Sequence, residues 1–393
     1  MKKHLRPAHR RFVSMLAAVL LLAGCGGGSG GVDSGGTGAP VSYYGSISGF
    51  GSIIVNGTHV DESKAQILDS TSDIGSSSDL KLGMDVAVDA TALPGGATSA
   101  SMVRYLNAIV GPVSDVKTTS GVVTVLGQSV RVTKKTLIDP GIAGGVNGIR
   151  IGDVLEVYGQ LDPGRTRYTA TRVLRRTDDT KYMLRGLVSS VDAQARSFVM
   201  GGQTISYAQL DAANVPALST GAMIQATLER SQSNGKWTAA SLRDGAPQIP
   251  DGRAVSMSGL VSGFSSAQKF SVAGISVDAS NASFPSGANL QPGARVTVLG
   301  SSIQGRVQAT SVTLALDQEA GDAAIELDGT MGVLDTTGKT FQVRGVVVNF
   351  AGNVQFSGGS AGDLSNGRSV QVLGVPSTDG AQVLATSIAF VAN

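Results

Sequence analysis

The chain has 393 residues, too many for one ordinary domain. Hydrophobic residues make up 41% and charged residues 15%, which excludes a charged disordered chain, while 53 glycines and only 5% aromatic residues point to short strands joined by tight turns. The formal net charge of +2 comes from a basic leader: without Lys2, Lys3, Arg6, Arg10 and Arg11, 26 basic residues face 29 acidic ones, a net charge of −3, so the bulk composition does not supply the basic surface a nucleic-acid binder needs.

Residues 1–24 have the three parts of a secretory signal. Met1 to Arg11 is basic, and Phe12 to Leu22 is an apolar run shorter than the roughly 20 residues of a membrane span. Leu22-Ala23-Gly24-Cys25 follows. It resembles the bacterial lipobox, which implies cleavage before Cys25 and lipid on its thiol; a plain secretory signal with a chance cysteine is the alternative. Several acyl chains on one residue suffice for stable anchoring. Gly26 stands where an Asp would retain an enterobacterial lipoprotein in the inner membrane, so the resemblance implies an outer-membrane lipoprotein facing the periplasm or the surface. Arg10-Arg11 lacks the rest of a twin-arginine signal, because Phe12 follows directly. Cys25 is the only cysteine, which excludes disulfides within the chain and a cysteine-built zinc site. Residues 26–40 are a Gly-rich tether. The Gly-x-Ser-x-Gly pattern around Ser29 has no strand before it and no helix after it, so it reads as linker.

Beyond residue 42 four signals recur in one order, the mark of an internal repeat. The first is a glycine with an apolar residue two positions on: Gly45 and Ile47, Gly111 and Val113, Gly186 and Val188, Gly259 and Val261, Gly329 and Met331. The second is a pair of short strands around Asn56-Gly57, Leu126-Gly127, Gly201-Gly202, Ala273-Gly274 and Arg344-Gly345. In the first copy Asn-Gly is the signature of a type I′ hairpin. The third is a glycine with alternating apolar residues after it, at Gly83, Gly152, Gly221, Gly293 and Gly367, which reads as a strand with one buried face. The fourth is an alanine with an apolar residue three positions on: Ala100 to Val103, Ala170 to Val173, Ala239 to Leu242, Ala309 to Val312, Ala385 to Ile388.

Each unit therefore predicts one strand, a hairpin pair, a gap of 19–26 residues and two more strands. The fold class is all-β: a tandem array of about five small five- or six-stranded barrels, of the oligonucleotide/oligosaccharide-binding (OB) type or another small closed barrel. The predicted domains are a lipoprotein signal peptide at 1–24, a lipidated Cys and flexible linker at 25–42, and β repeats at 43–108, 109–178, 180–245, 254–318 and 325–393. Each repeat is near the smallest size that folds unaided, so neighbours are expected to support one another. The joint at 106–108 is short enough to dock repeats one and two rigidly. The joints at 244–254 and 316–324 are polar and loop-like.

The stretches Gly49-Phe50-Gly51-Ser52-Ile53-Ile54-Val55-Asn56-Gly57, Asp79-Leu80-Lys81-Leu82-Gly83-Met84-Asp85-Val86 and Ala170-Thr171-Arg172-Val173 resemble a family of bacterial envelope proteins, the domain of unknown function DUF5666. The resemblance is best over repeats one and two and weakest in repeat three, where Ala226 replaces a bulky strand residue. It implies a lipoprotein with tandem β domains. It brings no activity and no catalytic residues.

Few residues suggest chemistry. His59 is the only histidine beyond the leader, and the matching positions in the other hairpins are Ser129, Thr204, Ser276 and Val347, so it reads as a polar-face strand residue. Ser360, inside a second Gly-x-Ser-x-Gly pattern, has no histidine after it. Asp69, Asp73 and Asp79 do not have the spacing of a calcium loop and read as a solvated turn. Arg165, Arg167, Arg172, Arg175, Arg176 and Arg185 form the one basic cluster, a candidate anion-binding surface for lipid phosphates, polyanionic glycan or an acidic partner. Against it stands pairing with Asp162, Asp178 and Asp179 on alternating strand faces. Trp237 is a candidate stacking platform for a sugar, or core. No catalytic set, metal site or cofactor is expected. The expected partners are the membrane, through the anchor, and envelope proteins or glycan, with no nucleic acid. The expected function is a non-catalytic lipid-anchored cell-envelope protein acting as structural spacer or binding scaffold; the alternatives are a glycan- or polyanion-binding lipoprotein and a carboxylate-based hydrolase.

Overall fold

A computed structural model describes residues 38–162, 167–177, 181–285, 288–315 and 324–391. The described residues are all-β, with short 3-10 turns and no α-helix. Barrel 1 contains β1 (Ala39–Phe50), β2 (Ile53–Val55), β3 (Thr58–Val60), β4 (Gln66–Leu68), β5 (Asp85–Ala92) and β6 (Thr98–Tyr105). Barrel 2 contains β7 (Ile109–Lys117), β8 (Val122–Val125), β9 (Gln128–Arg131), β10 (Leu137–Ile138), β11 (Val154–Leu161) and β12 (Arg167–Arg176). Barrel 3 contains β13 (Tyr182–Asp192), β14 (Ser197–Met200), β15 (Gln203–Ser206), β16 (Met223–Ser233) and β17 (Lys236–Asp244). Barrel 4 contains β18 (Ala254–Ser266), β19 (Lys269–Val272), β20 (Ile275–Asp278), β21 (Arg295–Ile303) and β22 (Arg306–Ala315). Barrel 5 contains β23 (Ile325–Asp335), β24 (Thr340–Val343), β25 (Val346–Asn349), β26 (Gln355–Ser357), β27 (Ser369–Pro376) and β28 (Val383–Phe390). The first strand begins at Ala39, inside the stretch read as linker, because Val41 and Ser42 are buried in its pairing with β5.

The same pairing recurs five times. In barrel 1, β1 pairs antiparallel with β2 and with β5, β2 with β3, and β5 with β6, and a parallel bridge from Asp61, directly after β3, to Ser99 of β6, continued by the parallel β4–β6 pairing, closes the sheet. Barrels 2 to 5 close through β9–β12, β15–β17, β20–β22 and β25–β28, all parallel. A first strand shared by both halves of the sheet, with parallel closure between the third and last strands, is the OB order. Closure leaves each barrel without a free sheet edge.

The sequence signals are the geometry of this closure. Both central residues of every hairpin turn have positive φ: 54° and 75° at Asn56-Gly57, 49° and 74° at Leu126-Gly127, 55° and 76° at Gly201-Gly202, 53° and 85° at Ala273-Gly274, and 50° and 77° at Arg344-Gly345. These are type I′ turns even where Leu, Ala or Arg replaces Asn. The first and third signals form one clamp. The N–H of Gly83 donates to the Ile47 carbonyl, Gly152 to Val113, Gly221 to Val188, Gly293 to Val261 and Gly367 to Met331. In return the N–H of each apolar residue donates to the carbonyl one position past the clamp glycine, as Ile47 does to Met84. Each clamp glycine has φ between 77° and 91°. Just beyond the clamp the first strand slips register against the hairpin, which lets it leave one half of the barrel and enter the other.

The barrels are not separate beads. Strand β1 pairs in parallel with β18 over Val41–Tyr44 and with β23 at Gly49 and Phe50, and β7 pairs antiparallel with β13 through Ile109 and Val110. Buried side chains of barrels 1 and 5 form one apolar cluster, and those of barrels 2 and 3 another. Barrel 4 has its own, into which barrel 1 inserts Tyr44 and Leu106. The joint after barrel 3 is held as well: Ser302 donates to the Pro250 carbonyl, and Ile249 packs on the barrel 4 cluster. The joint at 316–323 lies outside the described residues.

Candidate functional site

The hairpin turns are where barrels meet. Asn56 donates through Nδ2 to the carbonyls of Tyr44 and Ser256, both at 3.0 Å, and its Oδ1 accepts from Ser258 at 2.5 Å, so it joins barrel 1 to barrel 4. Beside the second turn, Gln128 Nε2 donates to the Gly201 carbonyl of barrel 3 at 2.9 Å. The fifth turn sends Arg344 to Glu62 of barrel 1 at 3.4 Å, with its guanidinium 5.8 Å from the Phe50 ring centre. The glycine of the turn persists because the backbone needs it. The residue before it differs from copy to copy because each turn tip meets different surroundings.

The basic cluster does not form one concavity. Arg167 pairs with Asp162 at 2.8 Å, Arg175 with Asp153 at 2.8 Å, and Arg176 with Glu156 at 2.9 Å. Arg172 is turned toward barrel 1, where Nη1 donates to the Leu82 carbonyl at 2.9 Å; burial pulls its pKa down to about 10. Arg185 is buried, and its carbonyl accepts from the Tyr168 hydroxyl at 2.6 Å. Arg165, Asp178 and Asp179 lie outside the described residues. The described arginines therefore hold carboxylates and seams and present no shared anion site. Trp237 is buried too: it stands edge-on to Tyr182, with ring centres 5.8 Å apart, and its indole N–H donates to Gln203 at 3.1 Å. No face is left for a sugar.

The remaining candidates resolve into local structure. His59 is half-exposed, 3.8 Å from Glu326 of barrel 5. Asp69 accepts from the N–H groups of Thr71 and Asp73, and Asp79 accepts from Ser76, so these carboxylates cap turns. Ser360 and Asp363 form a reciprocal capping box. Leu22, Ala23, Gly24 and Cys25 lie outside the described residues, as does the rest of the stretch read as a signal peptide.

Two polar sites were not legible in the sequence. At the meeting of barrels 1, 3 and 4, Asp85 is fully buried. Its Oδ1 accepts from Ser46 at 2.5 Å, while Oδ2 has no hydrogen-bond partner. Burial raises its pKa, opposed by Ser46 and by the charges of Arg185 and Arg295. Tyr44 beside it is pushed up to about 12, first by burial and then by Asp85. The second site is a cavity of about 370 Å³ between the outer face of β1, β5 and β6, the end of barrel 3 and the joint at 244–249. Arg104 and Arg243, both on its lining, occupy the same repeat position, one past the apolar residue of the fourth signal. That coincidence is visible in the sequence, but the cavity between them depends on how the barrels dock.

Three segments, residues 110–173, 258–313 and 329–389, match the family described as Domain of unknown function (DUF5666). They correspond to barrels 2, 4 and 5, so three of the five barrels are similar to this domain, in tandem along the chain. The resemblance expected to be strongest in repeats one and two thus falls on two, four and five, and repeat three is again among those left out. No curated protein matches the chain. Among solved structures, drosophila Unr CSD456 matches with 10% sequence identity over 55% of this chain and 98% of that one, at a TM-score of 0.14. At that score the OB assignment rests on the strand pairing alone.

Proposed function

We propose that this protein is a non-catalytic, lipid-anchored component of the bacterial cell envelope, tethered through Cys25, whose five barrels serve as a structural and binding scaffold. The observation that carries the scaffold reading is the strand β1, which pairs with strands of barrels 4 and 5 as well as its own. Pairing between barrels distant in sequence makes a block with fixed faces, which suits a scaffold better than a flexible spacer. The positions that persist across the repeats supply turns and clamps, and the positions that vary supply docking. The anchor reading rests on Leu22-Ala23-Gly24-Cys25 behind a basic and apolar leader.

The anchor is tested by replacing Cys25 with Ser and following palmitate incorporation and fractionation of the full chain. The expected outcome is loss of label and release from the membrane fraction. A Cys25→Ser chain that stays in the membrane fraction would overturn the anchor.

A further inference from the structure

We propose that the cavity between barrel 1, barrel 3 and the 244–249 joint is a binding site for a small organic anion, an oxyanion carried on an apolar body, with Arg104 as its charge partner. This goes beyond the scaffold reading and does not depend on the lipid anchor.

The floor is one face of three neighbouring strands. Register places Tyr44 beside Ala87 and Ala87 beside Arg104, with Ser42, Asp89 and Met102 in the next row. Alternate residues of these strands, such as Val86, Val88 and Val103, fill the barrel interior. The floor is therefore the outer surface of the barrel, and the cavity exists because another part of the chain roofs it. The roof is tied down on one side. Gln225 donates to the Ser70 carbonyl at 2.7 Å, and Arg243 Nη1 donates to the Thr71 carbonyl at 2.6 Å and to Ser72 Oγ at 3.1 Å. On the other side Pro247 and Ile249 contribute apolar surface. At about 370 Å³ the space lies within the range of small-molecule sites, about 300–1,000 Å³.

The charges around this space are unevenly satisfied. Asp89 accepts from Ser42 at 2.9 Å and pairs with Arg253 at 3.2 Å. Asp244 accepts from the Ala246 N–H at 3.0 Å and from Gln248 Nε2 at 3.1 Å. Arg243 is engaged with the 71–72 loop. Arg104 differs: its Nε is buried without a hydrogen-bond partner, and among the described residues no carboxylate lies within ion-pair distance of its guanidinium. A guanidinium without a counter-charge on the wall of a roofed space is costly unless something in that space completes it. Its planar fork fits a carboxylate or a phosphate with two parallel bonds. Met102, Leu106, Pro247 and Ile249 then face the body of the ligand. A neutral sugar would leave the charge unpaired, and a cation would face Arg104 and Arg243 together.

The test is calorimetric titration of the full chain with phenyl phosphate and 4-phenylbutyrate as probes, and with neutral 4-phenylbutyramide as the comparison. Binding of either anion, about tenfold or more tighter than the amide, is expected, and the two probes separate phosphate from carboxylate. Arg104→Gln should weaken the anion about tenfold or more, and Arg104→Lys should recover only part, since the ammonium lacks the fork. Met102→Trp, which fills the floor, should remove binding while leaving the thermal melt in place. Arg150→Gln, on a barrel 2 turn where Arg150 donates to the Asn147 carbonyl, should change nothing. Equal binding of amide and anion, anion binding untouched by both Arg104→Gln and Met102→Trp, or no heat from either anion at about 10 mM would each overturn the site. Should Arg104→Gln fail to fold, the anion–amide comparison on the unaltered chain and the Met102→Trp variant still decide.

Discussion

At the scale of single residues, the turn tips carry two demands at once: a left-handed backbone and a seam. Asn56 meets both, since Asn tolerates positive φ and its amide makes three hydrogen bonds to Ser256 and Ser258 of barrel 4, besides one to the Tyr44 carbonyl of its own barrel. Two substitutions separate the demands. Asn56→Gly keeps the turn and loses the bonds, for an expected cost of about 1–3 kcal/mol. Asn56→Ala loses the bonds and strains the turn, adding about 1–2 kcal/mol. Denaturant unfolding of both variants measures the difference, and equal costs would mean that the turn carries no strain. Asp85 makes a second residue-scale prediction. Its pKa is raised in the fold by burial, so the folded state holds the proton more tightly than the unfolded chain does. The contribution is fully present below the unfolded carboxylate pKa, about 3.9, and is lost as pH rises through the folded value. Asp85→Asn removes this dependence. Its melting temperature should therefore gain on the unaltered protein between about pH 4 and pH 7; a difference that stays constant or shrinks would refute the assignment.

At the scale of elements, the repeat is built from a clamp and a hairpin, and both can be weighed by glycine substitution. Gly152 and Gly83 hold equivalent places with φ of 91° and 77°. A methyl group at Gly152 would meet open space, whereas one at Gly83 would lie 2.8 Å from the Thr171 carbonyl of barrel 2. Gly152→Ala should thus cost only the backbone strain, about 1–2 kcal/mol. Gly83→Ala should cost that and also loosen the seam with barrel 2, which thermal melts of the two variants would rank. Equal melts would remove the seam from the account. The elements themselves were legible because their periods and turn chemistry are local: the hairpins, the clamp glycines and the alternating strands all read directly. Their partnership was not. Ile47 and Gly83 appear as two signals, and only the closed barrel shows them to be the two ends of one hydrogen-bonded clamp. The start of β1 at Ala39 was hidden for a similar reason, since Gly38 and Pro40 look like tether until β5 lies beside them. The arginines misled because a run of basic residues records nothing of the strand faces that separate them, nor of the carboxylates at 153 and 156 that meet them.

At the scale of the whole molecule, five homologous barrels could form either a string or a block, and contacts between residues about two hundred positions apart decide for the block. Such contacts have no period, and each uses different side chains, so the repeat pattern conceals them. They carry an energetic consequence that a string would lack. Tyr44 belongs to barrel 1 by sequence and strand, yet its 1%-exposed side chain sits in the apolar cluster of barrel 4. Removing a large buried aromatic side chain costs about 3–5 kcal/mol through lost burial and the cavity left behind. In a string of independent domains that loss would fall on the barrel that contains the residue. In the block it must fall on barrel 4 as well, because Tyr44 is paired with Met257 and shares its buried cluster with Met257, Val298 and their neighbours. Hydrogen exchange followed by mass spectrometry on full-length Tyr44→Ala should therefore show faster exchange across peptides of 254–315 as well as 39–105, while barrel 5, whose contact with β1 lies at Gly49 and Phe50, loses less. Unchanged protection in 254–315 would make the β1–β18 pairing a contact without coupling, and the scaffold would then have to be a chain of independent modules.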